Sequence, residues 1–288
     1  MRISNVLSYA ATAVGLSTGA ALAQDAADPT AGLEVIGAPT PGGMGFQPAV
    51  TELAADIQWL DGMINVIIFL IVLFVMALMA IVVVKYNEKA NKTPGTFTHN
   101  STIEVAWTVI PILILIFIGA FSLPVLFKQQ EIPEADITIK TTGYQWYWSY
   151  EYPDHEFVFD SFMLAEDQLE EYGYSEDLYR LATDTAMVVP VGKTVVVQVT
   201  GADVIHSWTI PAFGVKQDAV PGRLAELWFK AEQEGIYFGQ CSELCGKDHA
   251  YMPITVKVVS EEAYEQWLDQ SIELYAGKPR TITVAENN

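Results

Sequence analysis

The hydrophobic and polar positions divide the chain into membrane-like and soluble parts. Residues 63–84 and 105–127 are two apolar runs without a charged residue, and each is long enough to cross a hydrocarbon core of about 30 Å as a helix. Pro111 is tolerable there because neighbouring helices can satisfy the carbonyl that it frees. Since neither run shows a polar stripe, two buried helices of a soluble protein fit poorly. The pattern predicts a transmembrane hairpin over residues 56–128.

Short alternating segments follow in the second half of the chain, separated by turn residues. They are residues 137–142, 144–152, 157–159, 186–190, 194–200, 227–229, 235–239 and 254–259. This pattern predicts an all-β sandwich over residues 129–272, followed by a C-terminal tail at 273–288. Residues 164–180 break the alternation and predict a surface helical insertion, and Ser260 is the expected N-cap of a closing helix.

The chain begins with a weakly apolar segment that has the features of an export signal. Arg2 precedes it, and Ala21-Leu-Ala23 before Gln24 is the small-x-small pattern of a secretory cleavage site. The alternative, an uncleaved first helix, is disfavoured because Ser, Thr and Gly interrupt the run. The sequence predicts a signal peptide over residues 1–23 and an extended arm, rich in Ala, Gly and Pro, over residues 24–55.

Charge gives the orientation of the hairpin. The formal net charge is −20 at pH 7, and residues 129–288 carry 27 acidic against 10 basic residues, so no nucleic acid is expected among the partners. The connection between the apolar runs holds Lys85, Lys89 and Lys92 against Glu88. The positive-inside rule places this connection in the cytoplasm. The β domain and both termini are then expected on the periplasmic side.

A twelve-residue segment from Cys241 to Met252 holds the candidate chemistry. It contains Cys245 and His249 as well, and its thiolates, imidazole and thioether are soft donors that select copper. His206, at an expected strand end, adds a second imidazole. These five side chains predict a copper site.

The donors can be shared in two ways. Without Cys241 they make a blue-copper set of two imidazoles, one thiolate and one weak thioether. With Cys241, two sulfurs can bridge two copper ions, each of which also takes one imidazole and one weak axial donor. Met252 is one axial donor, and the backbone carbonyl of Glu243 can be the other. A pair that shares one electron changes its bond lengths little on reduction, and it leaves no open position for a substrate.

Two alternatives to copper use the same residues. These are the only cysteines in the chain, and in an oxidising periplasm they could form a disulfide. That bridge would close a very small loop and leave His249 and Met252 without a role. Zinc accepts two Cys and two His, but structural zinc ligands usually form two close-spaced pairs. Here one His precedes the cysteines and a Met follows them.

The segment resembles the dinuclear copper (CuA) loop of subunit II of haem-copper cytochrome c oxidases. Residues 143–150, 201–208 and 217–223 resemble other segments of that family, in the family's order. The resemblance implies a multi-pass protein of the bacterial inner membrane with a cupredoxin-like sandwich. It would take electrons from cytochrome c and pass them to haem in subunit I, where oxygen is reduced to water with proton translocation. Subunit III is a further expected partner.

The resemblance also implies roles for residues beside the copper ligands. Trp146 matches the aromatic residue through which electrons enter, whereas the pattern alone favours core packing and places Trp146 and Trp148 on one face of a strand. The Glu243 carboxylate matches a group that helps to hold a magnesium ion shared with subunit I. Glu104 matches a proton-entry residue, and its competing interpretation is a first-turn acid that favours the helix dipole.

Acidic residues near the aromatic run are candidates for docking cytochrome c, which presents lysines around its haem edge. Complementary charge of this kind raises the encounter rate. The candidates flank the aromatic run or His206 and fall near docking positions of the family. They are Glu151, Asp160, Asp184 and Asp203.

Three other functions share parts of this pattern. Quinol oxidase subunits have a similar architecture without the full copper ligand set. A membrane-tethered copper carrier would exchange its metal readily with chelators. Nitrous-oxide reductase has a similar loop but is soluble and much larger, and two spans argue against it. With no haem ligands and no oxygen site expected in this chain, we expect it to catalyse only within a complex.

Overall fold

The computed structural model describes residues 28–276. The expected signal peptide at residues 1–23 lies outside this range, as do residues 277–288 of the expected tail. Within the range, a short strand is followed by two long helices. These elements are β1 (Val35–Gly37), α1 (Glu52–Lys85) and α2 (Ser101–Gln130).

Both helices are long and apolar enough to cross a membrane, and their apolar windows are not buried within the described part of the chain. Each contains one of the two predicted apolar runs. The Thr51 side chain caps α1 by accepting from the Ala54 backbone N–H at 3.0 Å, so the helix begins before the expected end of the arm at residue 55. The Thr51 hydroxyl also donates to the Phe213 carbonyl at 2.8 Å. The first turn of α1 is therefore docked on the β domain.

The ends of the two helices that lie next to the β domain are joined to each other and to that domain through one lysine. Lys128, near the end of α2, forms ion pairs with Glu52 and Asp56 of α1. The Trp228 indole N–H donates to the Lys128 carbonyl at 3.2 Å. These contacts hold the helical hairpin and the β domain in one arrangement.

The described part of the N-terminal arm belongs to the β domain. β1 pairs in parallel with a later strand, β10 (Gly235–Gln240), with Val35 opposite Ile236. Val50 donates its N–H to the Ala212 carbonyl at 3.1 Å and accepts from the Glu232 N–H at 2.9 Å. Residues 28–50 of the arm contain turns as well as β1, and the arm is attached to the domain along this part of its length.

The β domain is a sandwich of two main sheets and a separate hairpin, which confirms the predicted fold class. One sheet has the order β4-β3-β2-β6-β9, the other has the order β1-β10-β11-β5, and β7 pairs with β8. The strands are β2 (Ile137–Tyr144), β3 (Tyr147–Tyr152), β4 (Phe157–Ser161), β5 (Met187–Pro190), β6 (Val195–Gly201), β7 (His206–Ile210), β8 (Val215–Ala219), β9 (Ala225–Phe229), β10 (Gly235–Gln240) and β11 (Pro253–Val259).

Large aromatic side chains fill the core. Trp148, Trp208, Phe213 and Phe229 are fully buried in one cluster. Helix α3 (Glu261–Tyr275) closes the domain, and the Ser260 side chain accepts from the Ala263 N–H at 3.2 Å. The predicted N-cap at Ser260 is therefore confirmed.

The aromatic run at residues 144–152 is not one strand. A tight turn at Gln145 and Trp146 separates β2 from β3, which pair as an antiparallel hairpin with Tyr144 opposite Tyr147. The expectation that Trp146 and Trp148 share a strand face was therefore wrong. Trp148 is buried in the core, whereas the Trp146 ring is only partly buried. The alternation of side chains continues through residues 144–152. The run contains no Gly, Asn or Pro that would have revealed the turn.

The insertion, residues 164–180, is not a regular surface helix. It contains two single-turn 3-10 helices, Glu166–Gln168 and Glu176–Leu178. Its apolar side chains form a second small core against β10. The acidic composition indicated helix, but Leu164, Leu169 and Tyr174 are spaced by about five residues, which does not place them on one face of a helix.

Candidate metal centre

The twelve-residue segment from Cys241 to Met252 is a loop that joins two paired strands. β10 ends at Gln240 and β11 begins at Pro253, and these two residues lie opposite each other in the antiparallel ladder. The ends of the loop are therefore fixed by the sheet. The first cysteine follows one strand directly, and the methionine precedes the other.

The two cysteines lie side by side without a bond between them. Their Sγ atoms are 3.8 Å apart, far beyond the S–S bond length of about 2.05 Å, and both thiols are free and buried. His206 Nδ1 lies 3.9 Å from Cys241 Sγ, and His249 Nδ1 lies 3.6 Å from Cys245 Sγ. Each imidazole thus has its Nδ1 atom within 4 Å of a different sulfur.

Two weaker donors complete the group. Met252 Sδ lies 3.5 Å from Cys245 Sγ, and the Glu243 carbonyl oxygen lies 3.3 Å from Cys241 Sγ. Ligand atoms of His206 and both cysteines are within 4.8 Å of one another. The donor set of two thiols, two imidazoles, a thioether and a carbonyl suits copper better than a hard cation. The residues therefore fit the metal that the sequence predicted.

The electrostatics of the cluster also favour a cation. Burial lowers the pKa of His206, but contacts with Cys241 and Asp203 outweigh burial and raise it. Burial opposes ionisation of Cys241, yet contacts with His206 and the backbone lower its pKa to about 7. Burial and the neighbouring Cys241 charge raise the pKa of Cys245 to about 12. The two adjacent sulfurs resist carrying two negative charges unless a cation joins them.

Asp203 contacts a ligand side chain and is not a freely exposed surface charge. Its Oδ1 lies 2.8 Å from His206 Nε2 and 2.7 Å from the Val204 N–H nitrogen. Its Oδ2 accepts from the Gln145 N–H at 2.7 Å. Burial raises the pKa of Asp203, but these hydrogen bonds outweigh it and lower the pKa. The sequence assigned Asp203 to docking, and its contact with His206 was missed.

The turn between β2 and β3 lies directly on the metal loop. Both Trp146 Nε1 and Gln145 Nε2 donate to the Cys245 carbonyl, at 3.3 and 2.8 Å. Lys247 Nζ is 5.3 Å from the centre of the Trp146 ring. Sequence reasoning singled out Trp146 but missed Gln145 and Lys247. Lys247 lies between Cys245 and His249 in the sequence, and this position could have indicated that it belongs to the site.

Trp148 and Gly143 restrict the positions of His206 and Met252. The Trp148 indole N–H donates to the Met252 carbonyl at 3.2 Å, and its ring meets the His206 imidazole edge to face at 5.9 Å between centres. Gly143 leaves room for the same imidazole, because a Cβ there would lie 2.9 Å from the His206 ring. The orientation of His206 is thus fixed on several sides.

The other predicted docking carboxylates occupy different surroundings. Glu151 on β3 forms an ion pair with Lys140 at 3.0 Å. Asp184 accepts from the N–H groups of Phe162 and Thr185, both at 2.8 Å. Asp160 is exposed on β4, where it pairs with Ser149 in the ladder.

The two glutamates with expected roles outside copper binding lie far apart. The Glu243 side chain is exposed at the metal loop. Glu104 is in the first turn of α2, where its carbonyl accepts from the Thr108 hydroxyl at 2.9 Å. At 1.5 Å per residue, the 30 residues of α2 separate its two ends by about 45 Å. Glu104 therefore lies at the end of the hairpin opposite to the β domain.

Comparison with known proteins gives matches over both parts of the chain. A family model described as cytochrome c oxidase subunit II, periplasmic domain, matches residues 137–259, and one for the transmembrane domain of that subunit matches residues 39–125. Cytochrome c oxidase subunit 2 of Cereibacter sphaeroides is 63% identical over 280 residues, which cover 91% of this chain and 92% of that protein.

Two further matches are similar in kind. A probable cytochrome c oxidase subunit 2 of Rickettsia bellii is 44% identical, covering 80% of this chain and 84% of that protein. The crystal structure of the periplasmic domain of subunit II of cytochrome oxidase of Bradyrhizobium japonicum is 54% identical, with a TM-score of 0.46. The match covers 50% of this chain and 99% of the chain in that crystal structure.

Proposed function

The chain belongs to the cytochrome c oxidase subunit II family, and we propose that it is the subunit through which electrons from cytochrome c enter a bacterial respiratory oxidase. It passes them to haem in subunit I, where oxygen is reduced to water and protons are translocated. The chain is a membrane protein with two helices of spanning length. It acts as an enzyme only as part of that oxidase.

The observation that carries the proposal is that six donors converge, five from the metal loop and one, His206, from β7. Two free thiols lie 3.8 Å apart, and each has a different imidazole nearby. His206, Cys241, Cys245 and His249 would hold two copper ions, with Met252 and the Glu243 carbonyl as weaker donors. When bound, the copper pair supplies reversible one-electron transfer.

The surrounding residues orient the ligands and connect them to the surface. Asp203 accepts from Nε2 of His206 and so directs Nδ1 towards Cys241. Trp146 is partly exposed, and its indole N–H donates to the Cys245 carbonyl. We propose this hydrogen bond as the entry route, because it leads from a surface ring to the backbone of a copper ligand through a single contact.

The orientation in the membrane follows from the loop between α1 and α2. Lys85, Lys89 and Lys92 are exposed there, which supports a cytoplasmic location for the loop and a periplasmic location for the β domain. Glu104 then lies in the first turn of α2 on the cytoplasmic side, where a proton-entry carboxylate is needed. The inner membrane of a bacterium is the compartment that combines these requirements.

The remaining partners are assigned by exposed groups near the metal loop. The Glu243 side chain is exposed, as a ligand to a magnesium ion shared with subunit I must be, and subunit III is a further expected neighbour. For docking of cytochrome c, Asp160 and Asp203 are exposed candidates, whereas Glu151 and Asp184 are partly buried. Asp184 and Asp203 also accept backbone hydrogen bonds. Rim charges of this kind act mainly on the rate of encounter.

Copper analysis and electron spin resonance of the full chain in detergent test the proposal. We expect two coppers per chain, one unpaired electron shared between them and hyperfine structure from both nuclei. Cys241→Ser should abolish the shared spectrum. A single-copper spectrum in the wild-type chain, or zinc alone, would contradict the dinuclear site. Rapid loss of copper to a chelator would instead favour a copper carrier.

A further inference from the structure

The insertion (residues 164–180) is attached to both strands that hold the metal loop. The side chains of Leu164, Leu169, Tyr174 and Leu178 pack in one cluster with Ile236 and Phe238 of β10. The Tyr174 and Phe238 rings are 6.2 Å apart, edge to face. The Thr255 hydroxyl on β11 donates at 3.4 Å to the carbonyl of Leu181, the residue that directly follows the insertion. The segment therefore packs beside the loop's two anchoring strands.

Arg180, the last residue of the insertion, reaches the metal loop itself. Its guanidinium carbon lies 5.6 Å from the centre of the Tyr251 ring and 5.3 Å from that of Tyr179. Both separations are within the range of a cation–π contact. Tyr251 ends the short 3-10 turn His249–Tyr251 and directly precedes Met252. One side chain of the insertion thus rests on the turn between two proposed copper ligands.

The backbone of Arg180 is in an unfavourable conformation. Its φ angle is +72°, in the left-handed region that residues with a Cβ seldom adopt. Such a conformation persists only when surrounding contacts compensate for it. Two kinds of contact surround this residue: the guanidinium lies on the Tyr179 and Tyr251 rings, and the N–H groups of the next two residues donate to the Leu178 carbonyl at 2.9 and 3.1 Å.

We propose that Arg180 is a positioning residue for the copper site: through Tyr251 it holds the turn that sets His249 and Met252. The inference rests on the proposed copper function. His249 supplies one imidazole and Met252 one weak axial donor, and both lie on the Cys245 side of the cluster. Release of this turn should therefore alter one half of the site more than the half formed by His206 and Cys241.

Arg180→Gly is the most informative variant. It removes the guanidinium, and glycine accepts the left-handed backbone without strain, so the chain should unfold at a temperature no lower than that of the wild type. We expect a shifted reduction potential, unequal hyperfine coupling to the two coppers, and a copper affinity lower by about tenfold in competition with a chelator, the size typical when a residue that supports a metal ligand is removed. Arg180→Lys keeps a cation that can also lie on the Tyr251 ring. Its potential and copper affinity should therefore lie between those of the wild type and those of Arg180→Gly.

The control is a substitution at another non-glycine residue that has a positive φ angle but lies away from the loop. Glu156 has a φ angle of +54° and follows the 3-10 turn Pro153–His155. Glu156→Gly relieves comparable strain and should leave the potential and the spectrum unchanged. A wild-type potential, spectrum and copper affinity in Arg180→Gly would overturn the inference.

Tyr251 tests the same contact from the other side if Arg180→Gly does not fold. Tyr251→Leu removes the ring and should reproduce the spectral change, whereas Tyr251→Phe keeps the ring and should match the wild type. Identical spectra for Tyr251→Leu and Tyr251→Phe would also overturn the inference. Failure of the proposed function appears differently, because the wild-type chain itself would then lack the shared copper spectrum.

Discussion

Asp203 Oδ1 lies 2.8 Å from Nε2 of His206, and this contact determines which nitrogen of the imidazole faces the cysteines. A carboxylate accepts hydrogen bonds, so in the neutral imidazole Nε2 carries the proton and Nδ1, 3.9 Å from Cys241 Sγ, is left with its lone pair. Both oxygens of Asp203 are in use, since Oδ2 accepts from the Gln145 N–H. The residue therefore positions a ligand.

Asp203→Asn should weaken copper binding. The amide replaces one accepting oxygen by a donor, so either His206 or a backbone N–H loses its partner. Loss of a hydrogen-bond partner of a metal-binding imidazole typically reduces metal affinity about 10- to 100-fold. Competition with a copper chelator measures the effect on the full chain. Glu151→Gln is the matched control, because Glu151 pairs with Lys140 on β3 and should leave copper affinity unchanged while slowing association with cytochrome c.

Gly143→Ala should displace His206. The added Cβ would lie 2.9 Å from two atoms of the imidazole ring, and Trp148 packs against that ring and limits its movement. Overpacking at such a position costs about 1–3 kcal/mol. We expect a lower unfolding temperature together with weaker copper binding. Gly119→Ala on α2 adds the same methyl group where nothing lies within 4 Å, and it should change neither quantity.

The cysteines and Met252 should differ in importance. Cys245→Ser replaces a soft thiolate, which in the proposed site would bridge two coppers, by a hard, weakly acidic hydroxyl, so the shared copper spectrum should disappear. Met252→Leu would delete only the weaker thioether donor and keeps a similar volume in a buried position, so most copper should remain with a shifted potential. Copper content and spin resonance of the two variants decide this. Equal loss of copper in both would contradict the hierarchy.

The metal loop could be predicted from the sequence because its chemistry is local. Four of its donor side chains lie within twelve residues of one another, and the strands on either side hold the loop's ends together. The apolar runs were similarly clear, because a membrane span requires an uninterrupted stretch of apolar residues. Both α1 and α2 contain the run that predicted them.

Contacts between distant parts of the chain were not predictable in this way. The contact of Arg180 with Tyr251 depends on how the insertion packs against β10, and no local pattern encodes it. Trp146 was placed on a strand because alternation continues through the turn that carries it. Asp203 was read as a surface charge, although its position three residues before His206 was a signal that it could reach that ring.

Trp146→Phe should slow electron entry from cytochrome c without weakening the complex. The change removes the indole N–H that donates to the Cys245 carbonyl at 3.3 Å. Gln145 still donates to that carbonyl at 2.8 Å, so the loop should stay in place and copper should be retained. Stopped-flow reduction of the copper site, measured at several cytochrome c concentrations, separates the rate of transfer from the affinity. A change in affinity alone would remove Trp146 from the entry route.

Glu104 has two interpretations that lead to opposite expectations. As a first-turn carboxylate of α2 it would contribute only about 0.3–1 kcal/mol through the helix dipole. Its place at the end of α2 away from the β domain also suits a group that takes protons from the cytoplasm. Asn100 caps this end independently by accepting from the Ile103 N–H at 3.2 Å, so the helix should tolerate a change at Glu104.

Glu104→Gln in the assembled oxidase separates the two interpretations. The amide keeps the shape of the side chain but cannot bind and release a proton. If Glu104 admits protons, oxygen turnover and reduction of the haem centre in subunit I should slow, while electron transfer from cytochrome c into copper keeps its wild-type rate, because the two processes occur at opposite ends of the hairpin. Turnover at the wild-type rate would leave Glu104 as a helix-terminal acid without a part in proton uptake.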